Sequence, residues 1–119
     1  MSTYNGWKNY ETWNVALWID NDQGTYNERC RIVAECIEDA PSMEQVPRVW
    51  TSQQAARYSL ADRLKDWVES DMIPDLGSSM AADLLAAALS EVDWEEIAEN
   101  WLDDEDGYKA LGEEREVTP

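Results

Sequence analysis

SSMAADLLAAALSEVDWEEIAENWLD, residues 78–103, holds two helical patterns and no alternating one. Ser78 or Ser79 is placed to cap the first of them. MAADLLAAALSEV is rich in strong helix formers, and Leu84, Leu85, Ala88, Leu89 and Val92 give it a broad apolar face. Near Asp93 a second pattern begins. Trp94, Ile97, Ala98, Trp101 and Leu102 recur at i, i+3, i+4, i+7 and i+8, the stripe one side of a helix presents to a core. Asp93, Glu95, Glu96, Glu99 and Asp103 occupy the other side.

The same signals repeat upstream. A long helix is expected from Thr51 or Ser52 to about residue 71, burying Leu60, Leu64, Trp67 or Val68, and Met72, before Pro74 and Gly77 break it. Residues 42–50, with Pro47, read as a turn or two of irregular helix. Thr25 and Glu28 form a capping-box pattern, followed by a stripe of Tyr26, Cys30, Val33, Ala34 and Ile37 that ends at Ala40-Pro41. Before it, residues 10–20 make a helix with Asn9 as cap, apolar on two sides and therefore expected at the centre of the fold. The expectation is an all-α, single-domain bundle of four to five short helices over residues 1–106. Residues 107–119 read as a frayed tail. A small mixed fold is the alternative, if residues near 46–50 pair as a strand.

Charge is distributed unevenly. The 119 residues carry 26 Asp and Glu against 9 Lys and Arg, a net charge of -17. Residues 1–60 hold 8 acids and 5 bases, whereas residues 61–119 hold 18 acids and 4 bases. From Asp66 to Tyr108 there are 14 acids and no base, nine of them between Glu91 and Asp106. Such a surface disfavours nucleic acid and anionic membrane as direct partners, since both are polyanions. Seven Trp and 44% hydrophobic content exclude a disordered acidic tail. No apolar run reaches membrane-spanning length and no leader pattern is visible.

Chemistry is poorly provided for. Histidine is absent, which removes the commonest general base and metal ligand. Cys30 and Cys36 would stand roughly 9 Å apart on a helix, too far for a disulfide. Two free thiols suit a reducing cytoplasm. Asp104, Asp106, Gly107 and Glu113 fall at calcium-loop positions, but Leu102 stands where that loop must begin with a carboxylate. No enzyme, cofactor or metal is expected.

The acids themselves are the candidate site. Glu95, Glu99 and Asp103 are spaced i, i+4, i+8, where like charges cost roughly 0.2–0.5 kcal/mol per pair. Asp103, Asp104 and Asp106 are read at the end of the helix, where its dipole disfavours anions. Charges retained against stability suggest a function. Carboxylates fixed on a helix can imitate a phosphate row and occupy the basic channel of a nucleic-acid-binding protein. The expected surface comprises Glu91, Asp93, Glu95, Glu96, Glu99, Asp103, Asp104, Glu105 and Asp106, helped by Asp66, Glu69, Asp71, Asp75 and Asp83. Trp13, Trp18, Trp67, Trp94 and Trp101 sit at core-type positions. Trp7 and Trp50 lie outside the stripes, and serve the alternative of an apolar protein–protein adaptor.

WKNYETWNVALWIDND (7–22) and PDLGSSMAADLLAAALSEVDWEEIAENWL (74–102) resemble a family of small, largely uncharacterised proteins of phages, plasmids and integrated elements, marked by N-Y-E-T-W-N. No catalytic residue comes with that resemblance. A mobile-element origin implies an inhibitor of host defence, by analogy with acidic antirestriction and anti-CRISPR mimics. The expected partner is a basic host protein, a CRISPR effector or a restriction enzyme, in the bacterial cytoplasm. The sequence leaves a homodimer open.

Overall fold

The computed structural model describes residues 4–43 and 50–117. Six α-helices account for most of them: α1 (Tyr10–Asn21), α2 (Gln23–Asp39), α3 (Ser52–Trp67), α4 (Met80–Ser90), α5 (Trp94–Asp103) and α6 (Asp106–Val117). Among the described residues there is no strand, so the fold is all-α, with more helices than the four to five expected. The proposed strand near residues 46–50 falls largely outside the described residues.

Caps set most of the boundaries. The side chains of Asn9, Ser79 and Asp93 each accept a backbone N–H from the first turn of α1, α4 and α5. Thr51 and Gln54 cap α3 reciprocally. The start of α2 differs from expectation. Asp22 is its cap, accepting from the Thr25 N–H, while the Thr25 hydroxyl donates to the Ile19 carbonyl and joins the two helices.

α3 is the central element, packing against α5, α2 and α6. Its Ala55, Ala56, Leu60 and Leu64 meet Ile97, Ala98 and Leu102 of α5, all essentially without solvent exposure. The small alanines let the two helices approach closely, and the leucines fill the space between them. On α2 the buried stripe is Ile32, Val33 and Cys36, with Ile37 packed partly against the core. Tyr26, Cys30 and Ala34 of the expected stripe are exposed. The helix is rotated because Arg29 faces inward. Its guanidinium lies 4.5 Å over the Trp101 ring and 2.5 Å from Asp20.

α6 corrects the expected frayed tail. Tyr108 and Leu111 are buried against the core, and the Gln53 side chain donates to the Tyr108 carbonyl. Gly107 lets α6 pass close to α2, since a Cβ there would stand 3.0 Å from Ile37. α4 is the opposite case. It is the most apolar helix, yet none of its residues is buried and it packs only thinly on the others. The molecule measures 56 × 31 × 29 Å.

Candidate functional site

The N-Y-E-T-W-N segment holds the start of α5 in place. Asn9 Oδ1 accepts from the Thr12 N–H at 2.9 Å and from the Thr12 hydroxyl at 2.6 Å. Asn9 Nδ2 donates to the Glu91 carbonyl, and Thr12 Oγ1 accepts from the Asp93 N–H at 2.9 Å. Asp93 caps α5 by accepting from the Glu96 N–H, and Glu96 accepts from the Lys8 N–H. One continuous chain of hydrogen bonds thus runs from residue 8 to residue 96. It fixes the α5 N-terminus, hence the direction of its outer face.

On that face Glu95, Glu99 and Asp103 are all exposed, as expected, and Glu91, Asp104, Glu105 and Asp106 extend the exposed set. Behind them Ile97, Ala98, Trp101 and Leu102 are buried, so the row has a rigid backing. Asp93 and Glu96 are half-buried and occupied with the cap and the Lys8 contacts. Glu105 and Asp106 lie at the beginning of α6, not at the end of α5, and there the helix dipole favours an anion. Asp103 and Asp104 stand at the unfavourable end of α5, and Glu91 stands at that of α4.

The base-free stretch of sequence is flanked by bases in space. Lys8 Nζ lies 3.9 Å from Asp93 Oδ2. Lys8 and Lys65 line one shallow depression with Asp93 and Glu95. Arg57 is near Tyr108 and Glu99, and its pKa is raised, first by its hydrogen bond to Tyr58 and then by those neighbours. Burial is the main cause of the upward shift at the Tyr108 phenol, with Asp103 and Glu99 adding to it. The remaining acids scatter. Asp66 and Asp71 line a depression with Arg31 and Arg63, and Glu69 lines another with Lys65 and Trp94. Asp75 accepts from the Gly77 N–H, and Asp83 lies in the first turn of α4. Glu95, Glu99 and Asp103 share one side of α5, Glu91 and Asp104–Asp106 are exposed in the segments before and after it, and Asp66 and Asp71 line a depression of their own beside Arg31 and Arg63.

The tryptophans are arranged differently from their sequence pattern. Trp101 is buried, and Trp67 and Trp94 are half-buried against the core. Trp13 instead packs at a tilt against Tyr4 and Tyr10, at ring distances of 4.9 and 5.5 Å. Tyr4 reaches it through a tight turn in which Asn5 and Gly6 have positive φ, the Asn-Gly signal of a two-residue hairpin turn. Trp7 and Trp50, the expected free anchors, pack partly against the core, Trp50 with Tyr58 at 5.0 Å. The free tryptophan is Trp18, 67% exposed, which the two-sided pattern of α1 concealed.

Among the described residues no three His, Cys, Asp or Glu side chains are grouped to hold a metal ion. Cys30 and Cys36 are both free. Burial raises the Cys36 thiol pKa, against the lowering influence of Ser59 and Arg63. No described helix is long and apolar enough to cross a membrane.

These features define a strongly acidic, all-α domain whose exposed carboxylates are backed by a packed helix core. The chain belongs to DUF7249, a family of unknown function, which matches residues 1–106. No curated protein and no solved structure matches it.

Proposed function

We propose that the protein acts by binding, as a nucleic-acid mimic whose α5 face competes for the basic channel of a host protein. One observation carries this reading: seven exposed carboxylates between Glu91 and Asp106 sit on a helix and turn whose inner side is buried. Successive positions of the Glu95–Glu99–Asp103 row rise about 6 Å along the axis. A packed backing spares the ordering entropy that a flexible acidic tail would lose on binding. Lys8 and Lys65 border the row at Asp93 and Glu95 and Arg57 at Glu99, and the proposed contact is the exposed row Glu95–Glu99–Asp103 with its continuation at Asp104–Asp106. A mobile-element origin makes a CRISPR effector or a restriction enzyme the partner of choice.

The experiment is capture from a bacterial host lysate at low and high salt, with wild type and the triple reversal E95K/E99K/D103K. The three reversals remove six negative units and take the net charge from -17 to -11. Wild type retains a basic nucleic-acid-binding protein at low salt and releases it at high salt. The triple variant, with unchanged helix content, does not retain it. Equal capture by both proteins contradicts the reading.

A further inference from the structure

We propose that the apolar cleft between α1 and α4 is a homodimer interface, in which a second copy of this chain covers α4. Within Met80–Ser90 the only charged residue is Asp83. A helix apolar on nearly all sides belongs in an interior, yet none of its residues is buried in the single chain. Leu85, Ala88 and Leu89 face Tyr10, Val15 and Trp18 across a cleft of roughly 440 Å³. Trp18 at 67% and Tyr10 at 50% exposure line it, and Met80 at 78%, Leu84 at 63% and Leu76 at 38% are exposed on α4 and just before it. At about 200 Å² per side chain these expose on the order of 600 Å², the upper end of what a lone monomer shows. A standard interface takes roughly 800 Å² from each partner, and the alanines of α4 supply much of the difference.

Charge selects the occupant. A second copy also carries -17, so it can approach closely only where acids are sparse. Glu11 is the one charged residue lining the cleft; Asp83 lies about 160° from Leu85 around the helix and one turn from Met80, at the edge of the apolar surface. α4 contributes one wall of the cleft through Leu85, Ala88 and Leu89 and also carries the exposed Met80 and Leu84, so each copy offers both a knob and a hole, as a two-fold interface requires. The inference is independent of the acidic-face reading, and salt separates the two. Screening weakens an acid–base contact but strengthens association of like-charged copies.

The test is sedimentation of the full chain over a concentration series at low and high salt. The expected result is a monomer–dimer equilibrium that tightens as salt rises. L84D and M80D each place a charge in the interface and raise the dissociation constant at least about thirtyfold. Neither position is buried in the monomer, so helix content and the Tm of the dilute monomer stay unchanged, while the rise of Tm with concentration is lost; M80D serves where L84D perturbs α4. E95K/E99K/D103K dimerises at least as well as wild type. A monomer at every concentration up to roughly 100 µM, an assembly larger than a dimer, or a dimer indifferent to both substitutions overturns the proposal.

Discussion

Replacing Thr12 with Val tests how the segment from Asn9 to Asn14 supports the acidic face. The substitution keeps shape and β-branching but removes the hydroxyl. It deletes the bond to Asn9 Oδ1 and leaves the Asp93 N–H without its acceptor at 2.9 Å. Thr12 is completely buried, whereas the Asp93 side chain is 32% exposed, so water reaches part of the vacated site. An orphaned buried donor costs about 1–3 kcal/mol, and the partial access argues for about 2 kcal/mol here. At an unfolding entropy of about 2.1 cal/mol/K per residue, that lowers Tm by about 8 °C. Thr12→Ser keeps the hydroxyl and loses one buried methyl, costing about 1 kcal/mol and about 4 °C. Calorimetry of the three proteins reads the order directly. Thr12→Val must melt below Thr12→Ser, and a double-mutant cycle with Asn9→Ala must show coupling above about 0.5 kcal/mol. If Thr12→Val is neutral, or melts above Thr12→Ser, packing rather than hydrogen bonding holds this joint.

Arg29→Ala removes a guanidinium stacked on Trp101 and paired with Asp20, and lowers stability by about 2 kcal/mol in urea denaturation. Arg29→Lys recovers only part of this, because an ammonium lacks the planar stack. Leu111→Ala destabilises by about 2–3 kcal/mol in the same assay; a frayed C-terminal tail would give no change. The Glu35 pKa is held below 4.5, first by Arg63 and also by Arg31, and a depressed folded pKa adds stability above 4.5 that disappears as pH falls below it. Glu35→Gln therefore melts below wild type at pH 7, and the difference shrinks as pH falls from 4.5 through the lowered Glu35 pKa.

The helix content was legible because four caps, Asn9, Thr51, Ser79 and Asp93, are local signals whose partners lie within three residues. The α2 register was not, because Arg29 spends its charge on an aromatic face and on Asp20, partners no periodicity count can supply. α6 was missed because Tyr108 and Leu111 are a single i, i+3 pair, too short to stand out as a stripe. Hydrophobicity alone gave α4 a broad core-facing side and placed Trp18 in the core, whereas Leu84 and Trp18 are exposed and no α4 residue is fully buried. The acidic row on α5 was legible as a face of a helix. Its basic borders were not, since Lys8, Arg57 and Lys65 come from segments distant in sequence. The same folding gives N-Y-E-T-W-N a structural role that its letters do not announce.

The most direct test of the mimic reading is displacement of DNA. Labelled duplex, or guide-bound target, is held by a purified restriction enzyme or CRISPR effector from the host, and its anisotropy is followed as the acidic protein is added. Wild type should displace it with an affinity that falls as salt rises, while E95K/E99K/D103K should leave it bound. Displacement by the triple variant at the wild-type concentration, or salt-independent displacement, would contradict the claim that the α5 carboxylates stand in for phosphates.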